Sequence, residues 1–181
     1  MFILASASPR RKMLLSEAGF EFEVCPSRAE EIKGEDLPPE KLATSNAEIK
    51  AEDVYARKKM PCLGADTIVV LDGKILGKPA DRSENARFLK KLSNNTHQVV
   101  TGFCLIVDGK KYVGSVTSDV TFNDLTDELI ISYVDGGYGL DKAGGYGVQD
   151  GFALVRRIGG SYSNVVGLPM EAVSKLLKEK L

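Results

Sequence analysis

A single carboxylate, Asp66, stands between two small residues, Gly64 and Ala65, and the unbroken apolar run Ile68 to Leu71. The run reads as a strand covered on both faces, which Asp72-Gly73 turns tightly into Lys74-Ile75-Leu76. A charge entering a covered strand must be hydrogen-bonded, paired or bound to a metal, because an isolated buried carboxylate is very costly. Asp66 therefore either caps a turn or has a functional role, with Gly64 and Ala65 leaving room beside it for a ligand. Lys78, beyond the hairpin, supplies a cation for the same cleft.

A second group lies near the start of the chain, in Ser6-Ala-Ser-Pro-Arg-Arg. Ser8 suits the cap of a helix and Pro9 its first position. Arg10 and Arg11 then fall in the first turn, where two cations oppose the helix dipole at a cost of about 0.3–1 kcal/mol each. A bound anion would remove the conflict, held by backbone N–H groups, Ser6, Ser8 and the guanidinium forks. The alternative is a pair of solvated arginines. A third group is the loop Pro26 to Pro39 with Glu30, Glu31, Glu35 and Asp36, any of which could complete an oxygen-ligand metal site. The stretch Asp135 to Gly151 holds seven of the eighteen glycines. Lys142 and Gln149 within it are the inventory for holding a phosphate and reading a base, although a purely structural loop has the same composition.

These groups need a scaffold, and the rest of the chain describes one. Phe2 to Ala5 reads as a strand, followed by a helix to about Ala18 that Gly19 ends. Glu21 to Cys25 alternates as a strand, and Pro39 to Lys59 is a long helix on which Lys50 is exposed by periodicity. Arg82 to Leu92 is amphipathic, with Ser83 as its cap and Ala86, Leu89 and Leu92 inward. Asn94-Asn95 leads into Gln98 to Asp108, and Asp108-Gly109 turns that strand into Lys111 to Phe122. Thr126 to Val134 is a helix, Phe152 to Ile158 a strand, Ser161 to Leu168 an irregular segment, and Met170 to Leu181 a helix. His97 reads as a structural partner at a strand start. The expected fold is a single mixed α/β domain over residues 1–181.

Composition excludes several classes. Hydrophobic content of 43%, charged content of 27% and a net charge of −1 describe an ordinary globular protein without a basic stripe for nucleic acid. Cys25, Cys62 and Cys104 are an odd number in apolar contexts, so they read as reduced core residues of a cytoplasmic protein. One histidine and no Cys-x-x-Cys spacing argue against zinc. The N-terminal apolar stretch is too short for a signal peptide, and no run reaches membrane-spanning length. Walker-A and dinucleotide fingerprints are missing. What remains favours a magnesium- or manganese-assisted reaction on a phosphorylated small molecule.

Seven segments in order then carry a resemblance. Ala5-Ser-Ala-Ser-Pro-Arg-Arg11, Asn46-Ala-Glu-Ile-Lys50-Ala, Gly64-Ala-Asp-Thr67, Gly77-Lys-Pro-Ala-Asp81, Thr96-His-Gln-Val-Val-Thr101, Asp141-Lys-Ala-Gly-Gly-Tyr-Gly-Val-Gln149 and Val166-Gly-Leu-Pro169 resemble the Maf family of nucleoside triphosphate pyrophosphatases. The resemblance implies an elongated mixed sheet with flanking helices and two lobes around a cleft, similar to the inosine-triphosphate pyrophosphatases. It implies hydrolysis of a nucleoside triphosphate to the monophosphate and pyrophosphate with a divalent cation, Mg or Mn, and it implies a homodimer. Asp66 falls on the catalytic and metal position, and Glu31, or its neighbour Glu30, on a further acidic metal position. Ser6, Ser8, Arg11, Lys50 and Lys78 fall on phosphate-binding positions. Arg10, Thr67 and Gln149 match the subgroup acting on dTTP and UTP. The alternative within the resemblance is a regulatory protein of septum formation that binds nucleotide without significant catalysis. Asp141-Lys-Ala-Gly lacks the acidic-Pro pair frequent before it, and Asn94 stands where glycine is frequent.

Overall fold

The computed structural model describes residues 1–34 and 37–181, so the loop acids Glu35 and Asp36 lie outside the described residues. In chain order the elements are β1 (Phe2–Leu4), α1 (Pro9–Glu17), β2 (Phe22–Val24), α2 (Pro39–Lys58), β3 (Cys62–Leu71), β4 (Lys74–Leu76) and α3 (Arg82–Leu92). They continue with β5 (Thr96–Val107), β6 (Lys110–Phe122), α4 (Asp127–Asp135), β7 (Val155–Gly159), α5 (Tyr162–Val166) and α6 (Met170–Lys180). The seven strands form one mixed sheet in the order β2-β1-β3-β5-β6-β7, with β4 paired to β3. β1 runs parallel to β2 and β3, whereas β3, β5 and β6 are antiparallel. Helices flank this sheet, as expected for the α/β class.

Local chemistry accounts for most boundaries. The Ser8 side chain accepts from the Arg11 N–H and Pro9 opens α1. Asp72-Gly73 and Asp108-Gly109 turn with positive φ at both residues, the geometry that twisted two-residue hairpins require. α3 is capped by Asp81, which accepts from the Glu84 N–H at 2.8 Å, and not by Ser83. Asn94, at a position where glycine is frequent, sits at φ 54, a left-handed conformation that asparagine tolerates. The segment after β7 contains the short helix α5 where an irregular stretch was expected, with Ser161 accepting from the Asn164 N–H.

β3 departs most from expectation, and its departure sets up the site. It is ten residues long, so Asp66 lies in mid-strand opposite Gly102 of β5. Gly64 and Ala65 do not leave room for a ligand. A Cβ on Gly64 would lie 2.2 Å from the Ala47 carbonyl oxygen, and one on Gly102 would lie 2.4 Å from the Ala43 carbonyl carbon. Small residues here let the backbone of α2 lie against the sheet, where Ala43, Ala47 and Ala51 are fully buried. On the other face, one apolar cluster gathers Phe2, Leu15, Leu63, Ala65 and Leu177, and another gathers Val69, Leu71, Leu89, Phe122 and Tyr133. Thr67 falls at the seam between them.

Candidate active site

Side chains alternate along a strand, so Asp66 and Thr67 serve opposite faces of the sheet. Asp66 turns toward α2, where Asn46 and Lys50 stand one helical turn apart on one face. Lys50 Nζ lies 2.7 Å from Asp66 Oδ1 and 2.7 Å from Glu31 Oε1, one ammonium shared by two carboxylates. Its side chain is only 13% exposed, so the lysine that periodicity leaves in solvent is held inward by two charges. Asn46 Nδ2 donates to the other oxygen of Asp66, Oδ2, at 3.2 Å. Glu31, and not Glu30, is the acid that reaches the site. Burial pushes the Glu31 carboxyl up, but the hydrogen bond and charge of Lys50, joined by Lys78 and Arg11, hold it below its ordinary value.

Arg11 resolves the dipole conflict without an anion. Its Nε donates to the Gly167 carbonyl at 2.8 Å, Nη1 to Ser6 Oγ at 3.0 Å and the Ala65 carbonyl at 2.9 Å, and Nη2 to Thr67 Oγ1 at 3.0 Å. Four of the five donors of a guanidinium are thereby committed to protein, leaving one N–H of Nη2 for a phosphate. The Thr67 hydroxyl is itself engaged, 2.9 Å from that of Thr101. Burial lowers the guanidinium pKa against the pull of Asp66, and arginine stays charged regardless. Arg10 pairs with Asp141 of the glycine-rich segment, Nη1 to Oδ2 at 2.8 Å. Ser6 and Ser8 occupy the turn between β1 and α1 as expected.

The glycine-rich wall is held by its own ion pairs. Lys142 Nζ donates to Asp141 Oδ1 at 2.9 Å and to the Tyr138 carbonyl, with Asp150 Oδ2 at 3.5 Å. An ammonium has three donors, so these contacts compete with the phosphate that Lys142 was expected to hold. Tyr133 Oη donates to Asp150 Oδ2 at 2.6 Å and accepts from the Gly147 N–H at 3.0 Å. Gln149 lines the cleft without a hydrogen-bond partner among the described residues. His97 is structural as expected. It is buried, its Nε2 lies 2.6 Å from Tyr146 Oη, and burial pushes its pKa down to about 4.

One cleft of about 790 Å³ collects the whole set: Ser6, Ser8, Arg10, Arg11, Glu31, Lys50, Asp66, Thr67, Lys78, Lys142 and Gln149 all line it. Lys78 is exposed and makes no ion pair among the described residues. Three further lining residues, Lys33, Asn46 and Asp141, went unrecognised as site residues. The spacing of Asn46 and Lys50 at i and i+4 carried the signal for Asn46, whereas nothing in the loop composition marked Lys33. Among the described residues no group of three or more His, Cys, Asp or Glu forms a metal cage. No helix of the described residues is long and apolar enough to cross a membrane.

Fold and site together define an α/β protein whose cleft has a lysine-bridged pair of carboxylates at its floor. The chain belongs to the family described as "Maf-like protein", which it matches over residues 1–180. A relative from Thermococcus gammatolerans named dTTP/UTP pyrophosphatase is 49% identical over 97% of this chain and 95% of its own. One of the same name from Deinococcus radiodurans is 45% identical over 97% and 91%. Among solved structures, a HAM1 protein from Coxiella burnetii shares the fold at TM-score 0.62 and 16% identity, covering 98% of each chain. A nucleoside-triphosphatase, dITP/XTP pyrophosphatase, from Mycobacterium abscessus aligns at TM-score 0.50 and 20% identity over 99% and 97%.

Proposed function

We propose that this protein hydrolyses nucleoside triphosphates, dTTP and UTP ahead of purine triphosphates, to the monophosphate and pyrophosphate. The observation that carries the reading is the Glu31–Lys50–Asp66 arrangement at the floor of the cleft. Breaking a phosphoanhydride needs a water in line with the leaving group and neutralised phosphoryl oxygens. In this reading Asp66 takes the water's proton, and Lys50 and Lys78 meet phosphoryl charge. Arg11 organises the floor by joining Ala65, Thr67 and Gly167, with one donor free toward the cleft. Ser6 and Ser8 present hydroxyls at the mouth of α1, and Gln149 faces the base.

Asp66 and Glu31 would hold a magnesium or manganese ion, and two carboxylates suit a hard cation that takes its other ligands from water and substrate phosphates. Such an ion supplies charge stabilisation to the phosphoryl oxygens. The reading further takes the protein as a single-domain cytoplasmic homodimer that needs no nucleic acid. Light scattering tests the dimer.

Incubation with a nucleotide panel and magnesium, with pyrophosphate measured, tests the function. Release from dTTP and UTP is expected to exceed that from dGTP and 7-methyl-GTP. Binding without any release would leave a nucleotide-sensing protein instead.

A further inference from the structure

Asn46 is 3% exposed on a helix whose other buried residues, Leu42, Ala43, Ala47, Ala51 and Val54, are all apolar. A polar side chain in that position must satisfy its amide or destabilise the fold. It does so by pairing with a peptide from the acidic loop: the Ile32 N–H donates to Asn46 Oδ1 at 2.7 Å, and Asn46 Nδ2 donates to the Ile32 carbonyl at 3.3 Å. This two-way pairing fixes which end of the amide faces which partner. Nδ2 is thereby the end that meets Asp66 Oδ2 at 3.2 Å. Ile32 directly follows Glu31, whose carboxylate meets Lys50.

The same side of α2 fixes the loop elsewhere. Asn46, Lys50, Asp53 and Arg57 stand at i, i+4, i+7 and i+11, which is one face of a helix. Asp53 Oδ2 accepts the Ser27 hydroxyl at 3.0 Å and the Arg28 N–H at 2.8 Å, and Arg57 Nη2 donates to the Pro26 carbonyl at 3.2 Å. The loop is therefore laced along the helix from Pro26 to Ile32. At its far end the lacing also grips Asp66.

We propose that Asn46 is a positioning residue for the hydrolysis, holding Asp66 and the Glu31 loop in one register through a single amide. The proposal rests on the hydrolytic reading above. Both N–H donors of Asn46 are committed to protein, so it has none to offer a substrate. Its loss leaves Asp66 gripped by Lys50 at one oxygen and free to turn, and it releases the peptide next to Glu31. The effect then falls on kcat, while KM, set by groups facing the phosphates, stays in place.

The experiment compares the wild type with Asn46→Asp and Asn46→Ala at about pH 8, where carboxylates are ionised. It measures kcat and KM for pyrophosphate release from dTTP with magnesium, together with amide hydrogen exchange. Asn46→Asp keeps an acceptor for the Ile32 N–H and loses the donor to Asp66. It is expected to protect the Ile32 amide as the wild type does, while kcat falls about 10–100-fold at unchanged KM. Asn46→Ala is expected to show the same fall in kcat together with loss of protection around Ile32. Wild-type turnover in both variants would overturn the proposal. So would a rise in KM at constant kcat, which would mark a direct substrate contact, or loss of amide protection throughout the chain, which would mark a stability residue. A wild type that releases no pyrophosphate from any nucleotide would instead refute the hydrolytic reading itself.

Discussion

The two charged walls of the cleft commit their charges differently. On the α2 wall, Lys50 is shared between Glu31 and Asp66, and Lys78 stands exposed nearby. On the glycine-rich wall, Arg10 and Lys142 meet Asp141, and Lys142 also reaches Asp150 and a backbone carbonyl. A carboxylate pair around one ammonium can exchange that ammonium for another cation or release it to a phosphate. On the second wall the pairs instead tie down a loop whose glycines give it little side-chain packing and much conformational entropy to lose. The presence of a lysine in a cleft therefore says less than the number of its donors still free. The proposed reading accordingly puts the chemistry on the first wall, and shape and recognition on the second.

The largest expected effect breaks or keeps that division. Asp66→Asn preserves size and the hydrogen bond to Lys50 but removes the proposed base. Turnover is expected to fall about 10²–10⁴-fold while pyrophosphate still raises the melting temperature. Near-normal turnover in a folded Asp66→Asn protein would take the chemistry away from the α2 wall.

Acid should undermine the glycine-rich wall through His97, which lies against Tyr146 beneath the cleft lining. Burial lowers the folded pKa from 6.5 to about 4, so the imidazole stays neutral in the fold while the unfolded chain takes up a proton. The unfolded state binds more protons between those values, and stability rises with pH across that window. The contribution is fully present above about pH 6.5 and is lost as pH falls toward 4, up to roughly 3 kcal/mol. Urea midpoints at pH 7 and 4.5 measure it. His97→Gln is expected to flatten the slope, and an unchanged slope would assign the acid sensitivity elsewhere.

How much of this the sequence discloses depends on how far a residue's partners lie along the chain. The hairpin turns and the Ser8 cap are local, and residue type alone identifies them. Arg11 and Asp66 stand out because their charges conflict with their local setting, a dipole in one case and a covered strand in the other. What resolves each conflict is invisible locally, since Arg11 bonds to Gly167, 156 residues away. Lys50 fails by periodicity for the same reason: its inward pull comes from Glu31 and Asp66, not from α2. The small pair Gly64-Ala65 misled because the object approaching it is helix α2 and not a ligand. For Asn46 the spacing to Lys50 is a local signal, but its pairing with the Ile32 peptide is not, because backbone leaves no trace in residue type.

A smaller effect tests whether the glycine-rich wall is held by its buried pairs. Tyr133 is fully buried and its hydroxyl joins Asp150 to the Gly147 N–H. Tyr133→Phe removes one hydrogen bond to a charged group and leaves the Gly147 N–H without its partner. The expected loss is about 1.5–3 kcal/mol, with a fall in melting temperature of roughly 2–4 °C per kcal/mol for a chain of this length. Turnover on dTTP should change little. A variant that keeps its stability but loses turnover would move part of the chemistry onto this wall.

The smallest effect concerns the base-reading role proposed for the second wall. Gln149 lines the cleft and has no hydrogen-bond partner among the described residues, in contrast to Lys142 seven positions earlier. Its amide can donate to and accept from the edge of a neutral pyrimidine, where carbonyl acceptors flank one N–H donor. Gln149→Glu keeps the shape, loses the donor and adds a negative charge that favours a cationic base such as 7-methylguanine. The preference for dTTP and UTP over 7-methyl-GTP is expected to fall by about tenfold, inside the roughly 1–3 kcal/mol that one pocket contact supplies. The change should come through KM, because Asp66 and Lys50 are untouched. Measuring kcat and KM separately on the three nucleotides decides the point. An equal loss of kcat on all three would mean that Gln149 acts on the phosphates, and the division between the two walls would not hold.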